Sequence, residues 1–357
     1  MNRQHKIRLT IIRHSIRNWG ADRLLLDYAL YLVKRGHAVT YWTNKINTRF
    51  SIDPGIELKK IPLPGVLGTM IFTLVTRFKT DILLVDLVVM SVLAWFLNKR
   101  TVVYLAQDDD RTYYSGVFLR KLTDWLYKLS LSVMKMRVMS VSEYLASQLN
   151  RYSGGQIVVV SNGIDPKKFF PEKESRFLTE KGTRKVIALY ARGDYRKGLD
   201  IGIKAIEELA RLRGTKDWEL WAIGAHPVKI DSEKIRLKCL GLLPDDDLRV
   251  VLSAADIYLS CSRHEGFGLM QLEAMACGCV MVTTKAFSLV KNEVNGLVCD
   301  VEDWHSLAQN LNRVLDDPIL IERLKKNGFK LASDFSLEKS CVQFEKALRG
   351  FCYENNP

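Results

Sequence analysis

Apolar and polar positions alternate in a steady rhythm through the first half of the chain. Ile7–Ile12 (IRLTII) is an apolar run of strand length, and Asp22–Lys34 carries apolar residues at helical spacing before stopping at Gly36. Ala38–Thr43 predicts a second strand. Asp81–Val85 and Thr101–Leu105 are continuous apolar runs between polar residues, as in parallel strands covered on both faces. Val138–Ser140 and Ile157–Val160 close this series, and the turn-rich Ser161-Asn162-Gly163-Ile164-Asp165-Pro166 follows. The rhythm then restarts. Strands are predicted at Val186–Tyr190, Glu219–Ile223, Asp256–Leu259 and Val280–Thr283. Helices are predicted at Asp200–Arg211, Asp245–Ala254, Leu269–Ala276, Asp303–Leu315 and Leu337–Leu348. Two such units in tandem predict an α/β protein of two Rossmann-like, doubly wound domains facing a central cleft.

Composition supports two full cores. Of 357 residues, 47% are apolar and 26% charged, with only 22 Gly and 9 Pro, which excludes collagen, low-complexity disorder and a disulfide scaffold. Seven cysteines without a CxxC pair suit a reducing cytosol and offer no structural zinc site. No apolar run is long enough to predict a membrane span, and the start, MNRQHKIRLTIIRH, has no signal-peptide pattern. Charge is uneven. Residues 1–165 hold 23 Lys+Arg against 12 Asp+Glu, or +11; residues 166–357 hold 30 against 28, or +2. A basic domain attracts anionic lipid, phosphorylated ligands or nucleic acid, or simply confers solubility. No RNP, KH or zinc-finger pattern accompanies the charge, so nucleic acid is not expected. Leu122, Leu126, Leu129, Val133 and Met136 form a helical stripe flanked by Lys121, Lys128 and Lys135. That helix either packs in the core with its lysines reaching water or lies on an anionic membrane.

The densest chemical signal is Ser262-Arg263-His264-Glu265-Gly266-Phe267-Gly268-Leu269-Met270-Gln271-Leu272-Glu273-Ala274-Met275-Ala276-Cys277-Gly278. A strand, a glycine-rich loop and a helix beginning near Leu269 expose backbone N–H groups to an anion. Glu265 and Glu273, eight positions apart, repel phosphate but accept hydrogen bonds from sugar and ribose hydroxyls.

This segment resembles the signature E-G-F-G-(L)-x-x-x-E-A-M-A-x-G of the retaining glycosyltransferases of family 4, which have the GT-B fold. The likeness continues in Gly241-Leu242-Leu243-Pro244-Asp245-Asp246, Ala254-Ala255-Asp256, Asn162-Gly163-Ile164-Asp165, Gly36-His37-Ala38-Val39 and Phe335-Ser336-Leu337-Glu338-Lys339. The resemblance implies that Glu265 contacts the donor sugar and supports charge at its anomeric carbon, while Glu273 holds the ribose hydroxyls. The amides of Gly266, Phe267, Gly268 and Leu269 would face the phosphates and sugar. Tyr190–Gly198 resembles the family's G-R-…-K-G segment, so Arg192 and Lys197 would clamp the diphosphate and make a metal unnecessary. Their alternative is an ordinary solvated loop. Base contacts would be largely backbone, near Leu242. Trp19-Gly20-Ala21-Asp22-Arg23 resembles G-G-A-E-R, where Gly20 would approach the diphosphate or merely begin a helix.

Two departures stand out. Ala106-Gln107-Asp108-Asp109-Asp110 replaces the family's usual cleft His, leaving Gln107, Asp108 or His14 as substitutes, with Asp108 the catalytic candidate and His14 otherwise a polar loop residue. Thr283–Ser288 replaces a Gly-Gly loop and leaves sugar identity open. Domains are expected at 1–165 and 166–335, with a helix in 336–357 crossing back to the first, and hinges near 161–166 and 334–336. The expected function is retaining transfer of a sugar from a nucleoside-diphosphate sugar, with no metal cofactor, to a glycan or lipid-linked acceptor. That work suits bacterial-type polysaccharide or envelope synthesis in the cytoplasm or at the inner face of the membrane. The alternatives are a catalytically silent GT-B subunit and a basic nucleic-acid binder. A dinucleotide oxidoreductase lacks its G-x-G-x-x-G after the first strand.

Overall fold

The computed structural model describes residues 6–153, 157–214, 217–230 and 235–353. The outermost residues of the sequence, 1–5 and 354–357, lie outside that range. The chain divides into two compact units: Met1–Asn162 with Glu338–Pro357, and Gly163–Leu337.

The strands of unit 1 are β1 (Arg8–Arg17), β2 (Ala38–Asn47), β3 (Ile56–Lys60), β4 (Ile82–Val85), β5 (Val102–Ala106), β6 (Arg137–Ser140) and β7 (Val158–Val159). All pair in parallel, in the order β3-β2-β1-β4-β5-β6-β7. Its helices are α1 (Gly20–Lys34), α2 (Gly65–Val75), α3 (Val88–Asn98), α4 (Val117–Tyr127) and α5 (Glu143–Asn150). The crossovers containing α2, α3 and α4 step across the sheet in one direction, so right-handed connection puts all three on one face. α1, whose crossover steps the other way, lies on the opposite face.

Unit 2 contains α6 (Arg176–Lys181), β8 (Lys185–Tyr190), α7 (Leu199–Arg213), β9 (Trp218–Ile223), β10 (Leu237–Gly241), α8 (Asp245–Ala254), β11 (Ile257–Ser260), α9 (Leu269–Ala276), β12 (Val280–Thr284), β13 (Leu297–Cys299), α10 (Trp304–Asp316) and α11 (Pro318–Asp334). Its six parallel strands run β10-β9-β8-β11-β12-β13. Both units are thus doubly wound α/β folds, as the sequence pattern predicts. The Ala-Ala-Asp segment holds this sheet together. Buried Asp256 accepts from the Val186 amide (2.9 Å) and pairs with Lys181 (2.8 Å), joining β11 to β8 and α6.

The final helix, α12 (Leu337–Tyr353), carries the chain back into unit 1. Ile164 N–H donates to Phe335 O (2.9 Å) and Leu337 N–H to Ile164 O (2.8 Å), so the outgoing and returning segments run side by side. Within unit 1, Phe344 stacks on Tyr28 of α1 at 4.3 Å, both fully buried. Tyr28 Oη meets Ser340 Oγ at 2.5 Å, and Ser340 donates to Ser161 O. His37, from the Gly-His-Ala-Val segment, accepts from Ile7 N–H through Nδ1 (3.0 Å), leaving Nε2 to face Glu345 of α12 at 3.1 Å. Arg35 and Arg349 also meet that carboxylate.

Several expectations need correction. The helix through Leu122 stops short of Met136 and changes its winding on the way. α4 ends at Tyr127, a π-helical turn covers Lys128–Val133, and Met136 precedes β6. The buried side is Thr123, Tyr127, Ser130 and Leu131, whereas Leu122 and Val133 face solvent. Tyr127 decides this orientation: it stacks on Tyr152 (5.4 Å), approaches Tyr104 Oη and accepts from the Asp110 amide (2.8 Å). His14 lies in β1, half-buried and 3.2 Å from Thr69 Oγ1, not in a loop. The edge strands β3 (IELKK) and β10 (LKCLG) escape the sequence pattern because exposed polar positions dilute their apolar signal.

Glu345 is buried, which alone would raise its carboxyl, but Arg349, His37 and Arg35 outweigh burial and hold it down to about 2. A carboxyl lowered on folding stabilises above its ordinary 4.5, and that contribution fades as pH falls from there toward 2. Glu345→Gln is therefore expected to lower stability at neutral pH by about 1–3 kcal/mol and to flatten that part of the acid limb. Denaturant unfolding across pH checks both.

Candidate active site

The site in unit 2 begins at the C-terminal ends of β8 and β11, neighbours where the strand order reverses, the place where open α/β sheets form a crevice. Arg192 and Lys197 follow β8, and Glu265 follows β11. Asp194 starts a 3-10 turn, Tyr195–Lys197, by accepting from Arg196 N–H. Gly198 ends that turn with φ +62° and begins α7. A Cβ there would lie 2.0 Å from Cys261 O, so only glycine lets the turn come this close to the β11 loop. Arg196 O accepts from Arg263 N–H (2.7 Å). The Arg263 side chain reinforces the seam, pairing with Asp200 and Glu302 beneath the Tyr195 ring.

The result is a close ion pair. Lys197 Nζ lies 2.9 and 2.8 Å from the two carboxylate oxygens of Glu265. Ser262 Oγ (2.6 Å) and Gln271 Nε2 (2.8 Å) also donate to Glu265 Oε1. Glu265 is 7% exposed. Burial would raise its carboxyl, but the charge of Lys197 and the hydrogen bonds from Lys197, Ser262 and Gln271 prevail and hold it below the usual glutamate range. This is a buried carboxylate kept ionised at neutral pH. Lys197 is therefore not part of a solvated loop. Arg192 pairs with Asp194 at 3.4 Å.

Gly266, Phe267 and Gly268 are buried in the loop leading to α9, and Leu269 opens the helix half-buried. Gly268 has φ +92°, and a Cβ on it would strike the Phe287 ring at 2.5 Å. Phe287 belongs to the segment that replaces the Gly-Gly loop. That segment is built into the site: Thr284 Oγ1 donates to Ser262 O at 2.6 Å, and Thr283 and Thr284 are fully buried. Phe267 packs edge-on against Phe335 at 5.6 Å. Glu273 is buried on α9, and Leu242 is exposed just after β10.

Gly20 and Asp108 belong to unit 1. Gly20 is the first residue of α1. Asp22, two residues on, sits buried against Arg13 at 2.7 Å, and burial pushes its carboxyl up to about 6. Asp108 is half-buried and its carboxylate accepts from Asp109 N–H (3.0 Å). The other two acids of its triplet are committed to the fold: Asp109 pairs with Arg111 (2.5 Å), and Asp110 accepts from Val88 N–H at the start of α3 (2.6 Å). Gln107 Nε2 donates to Asp86 (3.2 Å).

Comparisons with known proteins agree with this picture. The family model for Glycosyltransferase Family 4 matches residues 20–168, and that for Glycosyl transferases group 1 matches residues 171–331. The chain belongs to glycosyltransferase family 4. Relatives include an uncharacterized glycosyltransferase of Methanocaldococcus jannaschii, 26% identical over 54% of this chain and 54% of its own length. O-antigen chain mannosyltransferase B of Escherichia coli is 32% identical over 38% and 35% of the two chains. A GDP-mannose-dependent monoacylated alpha-(1-6)-phosphatidylinositol monomannoside mannosyltransferase of Corynebacterium glutamicum is 31% identical over 44% and 46%. The matched stretch thus spans about half or less of these curated relatives' length. In fold, the chain resembles sucrose-phosphate synthase from Thermosynechococcus elongatus (TM-score 0.81, 19% identity, 97% and 99% covered). It also resembles Anabaena Alr3699/HepE, solved with UDP and glucose (TM-score 0.74, 18% identity, 96% and 100% covered). These likenesses establish a GT-B fold for this family member.

Sequence reasoning missed Ser262 and Gln271 as partners of Glu265. Both stand inside the signature segment, and a buried carboxylate three residues from a serine, at the start of a helix, is the signal that points to them. Lys197→Met would leave Glu265 buried without its counter-charge. The variant is expected to lose about 3–5 kcal/mol at neutral pH. With only the Ser262 and Gln271 hydrogen bonds left to oppose burial, its Glu265 carboxyl rises, so the deficit shrinks as pH falls and the group protonates; urea titrations at several pH values read this. Gly198→Ala should be destabilised by at least about 1–3 kcal/mol through backbone strain alone, visible as a lower melting temperature.

Proposed function

We propose that this protein transfers a hexosyl group from a nucleoside-diphosphate sugar, with retention of anomeric configuration and without a metal, to a glycan or lipid-linked acceptor. The observation that carries the reading is the buried, ionised Glu265 held by Lys197 at the strand-reversal point of unit 2, immediately before the N-terminus of α9. When the bond between the anomeric carbon and the diphosphate oxygen breaks, positive charge develops on the sugar and negative charge on the leaving diphosphate. A fixed carboxylate stabilises the first and cations the second. Lys197 has three N–H donors and directs two at Glu265, so the third can meet a phosphate oxygen. Arg192 and the amides of Gly266–Leu269 supply further positive potential, as expected at a helix N-terminus. Glu273 and the backbone near Leu242 are assigned to the ribose and base.

The GDP-mannose-dependent relative from Corynebacterium glutamicum makes a mannosyl donor carried by GDP one candidate, and the UDP and glucose bound to Anabaena Alr3699/HepE make a glucosyl donor carried by UDP another. Polysaccharide or envelope glycan synthesis is the biological setting this suggests. Seven unpaired cysteines suit the cytoplasm, and the basic N-terminal half suits the inner face of an anionic membrane.

Thermal unfolding with UDP, GDP, dTDP, ADP and CDP, without added metal, tests the donor site. A ligand at about 100 times its Kd stabilises by about 2.7 kcal/mol, a shift of several degrees. One diphosphate should raise the melting temperature well above the others; no shift from any of them, with or without Mg²⁺, rejects the reading. Glu265→Gln should abolish transfer while keeping that shift, whereas Lys197→Ala should shrink the shift itself.

A further inference from the structure

More than half of the exposed large apolar side chains among the described residues fall between Leu63 and Val133. They concentrate on α2, α3, α4 and the turn after α4. Leu67 and Val75 of α2, Phe96 of α3, Phe118 and Trp125 of α4, and Val133 are between 55% and 78% exposed. These helices share one face of the unit 1 sheet. The inner sides of α2 and α3 cover it through Phe72, Met90 and Ala94, which join Ile12, Leu83, Val85 and Val102 in one core cluster. Their outer sides are also apolar. Neither α2 (GVLGTMIFTLV) nor α3 (VVMSVLAWFLN) contains a charged residue. A helix apolar all round is normally buried all round, and here only one side is covered by the fold.

The charges around this face have one dominant sign. Exposed Arg77 and Lys79 follow α2, Lys99 and Arg100 follow α3, and Arg120 and Lys121 lie on α4. Lys99 sits over the Trp95 ring at 4.9 Å. The three helices contain a single acid, Asp124, already paired with Arg111 and Lys128. Apolar and aromatic side chains at the centre with lysines and arginines at the edge are the composition of a surface that enters the headgroup layer of an anionic bilayer. A second copy placed on the same face by two-fold symmetry would set basic edge against basic edge. Among the described residues no helix is long and apolar enough to cross a membrane, so contact would be from one side.

We infer that the outer face of α2, α3 and α4 is a membrane-docking surface whose ligand is an anionic phospholipid bilayer. It deepens the membrane part of the reading above and rests on that part alone. Insertion of the apolar residues supplies one component of binding and the basic edge the other, so salt weakens binding without abolishing it.

The test is flotation of the full chain with phosphatidylcholine vesicles, with and without about 30 mol% phosphatidylglycerol. The wild type should float with the anionic vesicles and far less with the neutral ones. L67E/F118E should lower the partition coefficient about tenfold or more, because a carboxylate replaces an inserting side chain at two points. K99E/K121E should reduce the preference for anionic vesicles. All three proteins should keep the same melting temperature and the same nucleoside-diphosphate shift, because the altered residues are exposed and lie outside unit 2. The inference is overturned if the wild type does not float. It is also overturned if L67E/F118E floats as the wild type does, or if sedimentation shows a dimer that this variant dissolves. Loss of flotation with an intact diphosphate shift removes the docking surface and leaves sugar transfer standing; flotation without any diphosphate shift does the reverse.

Discussion

Everything at the unit 2 site depends on how closely two loops approach. The turn ending at Gly198 lies against Cys261 O so tightly that no side chain fits between them. That approach brings Lys197 from the β8 side onto Glu265 from the β11 side. A buried carboxylate with no counter-charge would take up a proton near neutrality or destabilise the fold. Lys197 prevents both, and Ser262 and Gln271 occupy the acceptor positions that remain on Glu265 Oε1. The same pair therefore serves stability and chemistry: it keeps negative charge where a sugar cation would form and sets a positive charge beside it for a leaving diphosphate. The cost of the arrangement is concentrated in glycines, since Gly268 meets Phe287 just as Gly198 meets Cys261.

Unit 1 meets the corresponding topological position with different chemistry. Its strand order reverses between β1 and β4. There Arg13 of β1 lies between Asp22 (2.7 Å) and Asp86 (3.0 Å), and Asp86 also accepts from Gln107. Arg13 is itself mostly buried, so the two carboxylates compensate a cation that water barely reaches. Burial still outweighs Arg13 at Asp22, which is why that carboxyl is pushed up to about 6. Unit 2 therefore offers a carboxylate held down by a lysine, and unit 1 an acidic group lifted toward neutrality. Two sheets of the same design present carboxyls shifted in opposite directions.

Much of this was legible in the sequence because chemistry and fold share the same signals. The central strands are apolar on both sides, and the Glu265–Glu273 segment carries its loop, helix start and two carboxylates within a few residues. Much of what escaped depends on how side chains meet once the chain has folded. Arg13 comes directly after an apolar run, and nothing near it in sequence announces Asp86. Gln271 looks like an ordinary helix residue until the loop folds back over it. The α4 stripe misled for the same reason. Leu122 and Val133 have the right spacing for a core, but Tyr127, with partners at Tyr104, Asp110 and Tyr152, claims the inner side.

That reversal links two features of unit 1 that composition leaves separate. Turning Tyr127 inward turns Leu122 and Trp125 outward, beside two helices that contain no charge. An apolar face of this extent promotes self-association in water. The excess of Lys and Arg in residues 1–165, +11 in all, opposes it, because two like faces repel before their apolar centres meet. The repulsion becomes attraction when the opposing surface is anionic. Charge and hydrophobicity on this half of the chain thus act together: the charge keeps copies apart in solution and selects which surface the apolar side chains enter.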